Sequence, residues 1–166
     1  DMPYKTYSNK FIAYKNAKEI IRKTKCDAIK LEGGEKISFI IKYLVKKKIP
    51  VMGHIGLLPQ TTTKYKVKGK NSNQKIKILQ DARAISNAGV FAIIIECVIE
   101  NLAKNITNSV SVPTIGIGAS KYCDGQILVI DDVLGLSDFH PKFVKKYANL
   151  RLIIEKGNAY LLDSIL

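Results

Sequence analysis

Val90-Phe91-Ala92-Ile93-Ile94-Ile95-Glu96 is an apolar run closed by a carboxylate. It is too short for a typical helix and rich in β-branched side chains, so it reads as a strand. A strand that is apolar at every position, rather than at every second one, belongs to a parallel sheet covered on both faces. The segments on either side are helical in period. Before it, residues 75–88 turn Leu79, Ala82 and Ile85 inward and stop at Gly89. After it, a helix is expected near residues 99–109.

The same alternation continues outward. Upstream, a helix over residues 11–24 carries Ala13, Ala17, Ile20 and Ile21 on one face, and a strand follows over Asp27–Glu32 until Gly33-Gly34 stops it. Ile37, Ile40, Ile41 and Leu44 then fall at i, i+3, i+4 and i+7, the clearest amphipathic helix in the chain. Ile49–Ile55 is the next strand, and the polar stretch Gln60–Gln74 is long enough to suggest a functional loop. Downstream, Pro113–Gly118 reads as a strand entering a glycine-rich turn, and Gln126–Asp131 (QILVID) as the last strand. Pro141 then suits a helix first turn, with Phe143, Tyr147, Leu150 and Ile154 as its apolar stripe. His140, just before it, reads as a cap or surface residue. Five strands result, with Asp1 at what could be the end of a sixth.

Repeated βα units make this an α/β chain with a parallel sheet. Two architectures fit: a doubly wound sheet and a partial (β/α)₈ barrel. Polar residues repeatedly close apolar strands here, namely Lys30 and Glu32, His54, Glu96 and Asp1. A barrel gathers such strand ends at one mouth, whereas a doubly wound sheet concentrates them at a switch point. The expectation is therefore a TIM-type barrel, incomplete here, with residues 1–166 as a single partial domain. The opening Asp1, in place of Met, suggests a truncated sequence.

A formal charge of +13 raises nucleic-acid binding as a possibility. The excess is nearly all lysine, however, with Arg22, Arg83 and Arg151 the only arginines. Lys15, Lys18, Lys23 and Lys25 alternate with apolar residues as on solvated helix faces, and no aromatic–basic stripe interrupts them. Neither a nucleic-acid nor a membrane partner is expected. No apolar run is long enough to span a bilayer, and the opening DMPYKTYSNK has no signal-peptide core. Cys26, Cys97 and Cys123 are odd in number and widely spaced, as reduced cysteines of a cytoplasmic protein would be.

Five side chains invite chemistry. Lys30 and Glu32 are two apart on a strand and so face the same side. They could form an internal ion pair. Alternatively, with Asp1, the carboxylates could hold a hard cation such as Mg²⁺. Glu96 closes the most apolar segment, which favours its protonated form and suits it to abstract a proton next to a carbonyl; a salt-bridged glutamate is the plainer reading. His54, in GHIGLLPQ, is a lone histidine, a residue most often structural. Gly116 and Gly118 lack the lysine of a P-loop and the acidic partner of a dinucleotide fold.

Taken together, Asp1-Met2-Pro3-Tyr4, Ala28-Ile29-Lys30-Leu31-Glu32-Gly33-Gly34, Pro50–Gln60, Ile95-Glu96-Cys97-Val98, Pro113–Ala119, Cys123-Asp124-Gly125-Gln126 and Pro141–Lys145 resemble the ketopantoate hydroxymethyltransferase family. The resemblance implies a barrel of about eight strands. It also implies transfer of a hydroxymethyl group from 5,10-methylenetetrahydrofolate to α-ketoisovalerate through a magnesium-stabilised enolate, on the way to pantothenate. By the same resemblance Asp1 and Glu32 are magnesium ligands, Asp1, Lys30 and His54 contact the keto acid, and Glu96 is the general base. A cyclic homo-oligomer, a decamer, is implied as well. The chain departs from the family pattern at Ile99, usually proline, and Ser120, usually glycine. Against a barrel of about eight strands the resemblance implies that the first two to three strands are missing, which leads to the expectation that this fragment alone is inactive. The alternative function is another enolate-forming barrel enzyme, of the phosphoenolpyruvate mutase and isocitrate lyase type. Its lyases carry a cysteine on a mobile loop, and no such loop follows the Lys30–Glu32 strand.

Overall fold

The computed structural model describes residues 1–62, 65–138 and 141–165, with side chains through residue 160. His140 lies outside them. The chain forms two compact units, Asp1–Gln126 and Ile127–Leu166.

The first unit alternates helix and strand: α1 (Lys10–Thr24), β1 (Ile29–Glu32), α2 (Glu35–Lys46), β2 (Val51–Gly56), α3 (Ser72–Asn87), β3 (Ala92–Glu96), α4 (Glu100–Ser109), β4 (Thr114–Ile117) and β5 (Gly125–Gln126). Local signals set the helix ends. The Asn9 side chain accepts the Phe11 and Ile12 N–H groups at the start of α1, and Lys25 ends that helix with a left-handed φ of 60°. At α3, Asn71 accepts from the Gln74 N–H while the Gln74 side chain takes the N–H groups of Gly69 and Lys70, a reciprocal cap. The start of α2 is capped from another helix, where Asp81 accepts the Glu35 N–H at 2.8 Å.

All five strands are parallel, in the spatial order β1-β2-β3-β4-β5. An order that never reverses has no switch point, the feature that a doubly wound sheet requires. Consecutive helices pack side by side from α1 to α4. One apolar cluster joins their inner faces to Ile29, Leu31, Val51, Ile55, Ile93 and Ile95. Burying each such leucine or isoleucine contributes roughly 1.5–3 kcal/mol. Gly53 belongs to the same side, because a Cβ there would lie 2.6 Å from Ile85 of α3. Strand residues alternate between faces, so Lys30, Glu32, His54 and Glu96 all project from the opposite one. The result is an α/β unit with helices against one face of a parallel sheet and ionisable groups on the other, an arrangement consistent with part of a TIM-like barrel.

Near Gln126 the expected strand does not form. Only Gly125 and Gln126 pair with β4, and residues 127–129 have no regular structure. In the second unit, Ile130–Leu134 forms a short helix, α5, with Asp131 and Asp132 in its first turn and Gly135 (φ 67°) as its left-handed cap. The helix expected from Pro141 also differs. Pro141 opens a turn, closed by the Val144 N–H to its carbonyl, and α6 runs over Leu150–Ile165. On α6, Arg151 pairs with Glu155 and with Asp138. No helix among the described residues is long and apolar enough to cross a membrane.

Candidate active site

Period-two alternation brings the sequence-predicted groups together. β1 places Lys30 and Glu32 on one face, and the β1–β2 register sets Glu32 beside His54. The β2–β3 register pairs His54 with Ile94, so Glu96 stands one pleat further along the same face. Glu32 and Glu96 are the last residues of β1 and β3, His54 lies beside Glu32, and Lys30 stands one pleat before Glu32.

His54 is the hub. It is 3% exposed, and its Nδ1 is 3.0 Å from the Lys30 ammonium and 3.8 Å from Glu32 Oε1. An ammonium has no lone pair, so Nδ1 must be the accepting nitrogen and the ring proton belongs on Nε2. Nε2 lies 3.1 Å from Glu96 Oε2, yet off the line of a well-formed hydrogen bond. Distance and alignment disagree here. The separation supports a strong electrostatic contact, and the misalignment leaves the donor able to turn toward another acceptor.

Lys30 gathers negative charge around it. Its Nζ is 2.9 Å from Asp1 Oδ1 and 3.9 Å from Glu32 Oε1. Burial pulls its pKa below the usual lysine range, while the nearby Glu32 and Glu96 charges pull the other way. Asp1 is not part of a strand, but the buried Met2 beside it donates its N–H to the Lys30 carbonyl at 3.0 Å. That bond moors the Asp1 segment along β1.

Three further residues shape the site through contacts that their own positions in the sequence do not reveal. The Gln60 N–H donates to Glu32 Oε2 at 3.1 Å. The buried Tyr7 donates its hydroxyl to the Glu32 carbonyl at 3.2 Å, and burial, aided by the Glu32 charge, raises the phenol pKa. Cys97, next to Glu96, has a left-handed φ of 49°, uncommon outside glycine. Backbone bonds hold it there: its N–H donates to the Ile117 carbonyl, and its carbonyl accepts from the Lys68 N–H. Burial and the adjacent Glu96 charge raise the Cys97 thiol pKa. This kink ends β3 directly after Glu96.

The long loop after β2 has both ends against this turn. At its start Leu57 donates its N–H to the Glu96 carbonyl at 2.8 Å. Gly56 permits the approach, since a Cβ there would fall 2.3 Å from that same carbonyl oxygen. At the loop's far end the Lys68 carbonyl accepts from the Ile99 N–H at 3.1 Å. A proline at position 99 could not make that bond. Ile99 thus ties the loop to the turn, and α4 begins at Glu100 without a side-chain cap.

The glycine-rich turn is internally satisfied. Ser120 Oγ accepts the Tyr122 N–H, the Ser120 carbonyl accepts from Gln126 Nε2, and Gly116 packs beside Cys123 and Gln126. Asp124 works at the opposite, amino-terminal end of β4, accepting from both the N–H and the hydroxyl of Thr114. Those bonds hold its pKa below the usual carboxylate value.

Chemically, the arrangement can neutralise negative charge at Lys30 and accept a proton at Glu96. Comparison with known proteins narrows this further. A sequence model described as ketopantoate hydroxymethyltransferase matches residues 1–163. A protein named 3-methyl-2-oxobutanoate hydroxymethyltransferase from Pelagibacter ubique (strain HTCC1062) is 58% identical over 150 residues, covering 90% of this chain and 58% of its own length. Its namesake from Anaplasma marginale (strain Florida) is 49% identical over 158 residues, covering 93% and 57%. That from Caulobacter vibrioides (strain NA1000 / CB15N) is 48% identical over 163 residues, covering 96% and 59%. This chain therefore spans somewhat less than two-thirds of the length of these curated relatives. The chain belongs to the ketopantoate hydroxymethyltransferase family.

Proposed function

We propose that this chain carries reacting groups of an enzyme that transfers a hydroxymethyl group from 5,10-methylenetetrahydrofolate to α-ketoisovalerate, giving ketopantoate for pantothenate and coenzyme A synthesis. Family membership supports the reaction class. The observation that carries the site assignment is the buried His54, set between the Lys30 ammonium and the Glu96 carboxylate.

In this reading Glu96 accepts the proton from C3 of the keto acid, and the freed electron pair forms the new bond to the one-carbon unit. Water supplies the hydroxyl oxygen, which balances the reaction. His54 Nε2–H lies against one Glu96 oxygen and steadies the carboxylate, leaving the other to take the proton. Lys30 offsets negative charge that grows on the substrate oxygens, and its partial burial strengthens that effect. Asp1 shares the contact to substrate.

The donor set suits Mg²⁺. Among the described residues no three His, Cys, Asp or Glu side chains cluster as a metal site. Magnesium is commonly held by one or two carboxylates, with waters and substrate oxygens completing its shell. Asp1 and Glu32 would hold it; both already face the positive charge of Lys30. When bound, the ion supplies Lewis-acid polarisation of the keto acid oxygens.

The non-reversing sheet is read as an arc of a (β/α)₈ barrel, with residues 1–166 in one barrel domain and the site at its carboxyl mouth. A cytoplasmic, homo-oligomeric enzyme, decameric by family likeness, is the corresponding assembly. The lyase alternative is not favoured, because β1 enters α2 through Gly33-Gly34 with no cysteine between. Incubating the complete protein with Mg²⁺, α-ketoisovalerate and 5,10-methylenetetrahydrofolate tests the reading. Formation of ketopantoate with tetrahydrofolate is expected, and consumption of neither substrate would overturn it.

A further inference from the structure

We infer that Gln60 is a positioning residue that fixes the spacing of the two carboxylate-bearing segments; the inference rests on the assignment of Asp1 and Glu32 as the cation-binding pair. Its backbone N–H holds Glu32 Oε2 at 3.1 Å. Its side-chain amide reaches the other segment and donates from Nε2 to the Met2 carbonyl at 3.3 Å. A carbonyl can only accept, so the amide orientation is decided and Oε1 points away from Met2.

One residue of the long loop thus spans two segments that are distant in sequence. Glu32 is 7% exposed, and its Oε1 faces Lys30 and His54 while Oε2 is taken by Gln60. Met2 is fully buried and bonded to the Lys30 carbonyl, so a tie at Met2 also constrains Asp1 beside it. Gln60 Oε1 is itself buried without a hydrogen-bond partner, one of two such side-chain atoms among the described residues; the other is His54 Nε2. A buried polar atom left unsatisfied calls for an explanation. Both atoms belong to groups around Glu32, where a water or hydroxyl arriving with a ligand would find an unused acceptor.

Gln60→Met and Gln60→Ala keep the backbone bond to Glu32 and delete the tie to Met2. In the complete protein, Mn²⁺ binding followed by electron paramagnetic resonance should weaken about 10-fold, the lower end for losing an outer partner, because the deleted bond holds the residue next to Asp1 rather than Asp1 itself. The thermal midpoint should stay near that of the parent, and raised Mg²⁺ should restore activity, which a merely structural defect would not allow. Gln60→Asn, which keeps the amide one methylene short, should weaken Mn²⁺ in the same direction and serves if the other variants fold poorly. Folded variants that bind Mn²⁺ within twofold of the parent would overturn the inference. A parent that binds no Mn²⁺ would instead overturn the two-carboxylate assignment, and is distinguishable because parent and variants would then behave alike.

Discussion

His54 Nε2 lies 3.1 Å from Glu96 Oε2 while the opposite ring nitrogen accepts from Lys30, so one buried ring couples the ammonium to the proposed base. Removing it should affect both ends. His54→Ala is expected to lower kcat about 100-fold, the lower range for a residue that supports acid–base chemistry. It should also cost roughly 1–3 kcal/mol of stability, since Lys30 loses a buried acceptor. Glutamine can accept from Lys30 with its carbonyl and donate toward Glu96 with its amide. His54→Gln should therefore recover part of the activity, as steady-state kinetics on both variants would reveal.

Gly56 sets the position of Glu96 through the backbone. Its φ of 92° is unfavourable for other residues, and an added Cβ would lie 2.3 Å from the Glu96 carbonyl oxygen. Gly56→Ala should destabilise by more than about 1 kcal/mol, the scale of a forced left-handed residue, and the clash adds to that. Because the displaced carbonyl belongs to the base itself, kcat should fall as well. Urea unfolding together with kinetics checks both; a stable, fully active Gly56→Ala variant would contradict the register described.

Asp124 stabilises the amino-terminal end of β4, away from the reacting groups. Its pKa is lowered by accepting from Thr114, so the charged form is favoured in the folded state. The stabilisation is thus fully present above the unfolded aspartate pKa of about 3.9, and is lost as pH falls through the lower folded value. Asp124→Asn should cost about 1 kcal/mol at neutral pH, a figure kept small by the exposure of the carboxylate. In urea midpoints measured from pH 7 to pH 3, the gap between parent and variant should narrow only at the acid end. Activity per folded molecule should not change.

Much of the fold was legible because periodicity reports burial. Ile40, Ile41 and Leu44 are buried on α2 as their spacing predicts, and the apolar run Ala92–Ile95 is buried throughout. The ionisable groups were legible for the same reason: Lys30, Glu32, His54 and Glu96 interrupt apolar strands, and alternation places them on one face. Pattern failed where tertiary pairing decides. Ile127–Ile130 has strand-like composition, but the ladder with β4 stops at Gln126, while two acidic residues and Gly135 favour a short helix instead. Pro141 opens a turn closed by the Val144 N–H rather than a helix, and of Phe143, Tyr147, Leu150 and Ile154 only Leu150 and Ile154 are helical. Tyr7 and Gln60 act on Glu32 from 25 and 28 residues away, so although the loop that begins at Gln60 stands out in the sequence, neither contact does. The left-handed backbone at Cys97 is likewise fixed by bonds to Ile117 and Lys68 rather than by its own type.

The most direct test is hydrogen exchange at the substrate carbon. The complete protein, supplied with Mg²⁺ and α-ketoisovalerate in deuterated water but no one-carbon donor, should wash deuterium into C3. Glu96→Gln, equal in size but unable to serve as the base, should slow that exchange by about 100- to 10,000-fold while Mn²⁺ affinity and thermal midpoint hold. Exchange by Glu96→Gln at the parent's rate would contradict the account, since some other group would then be taking the proton.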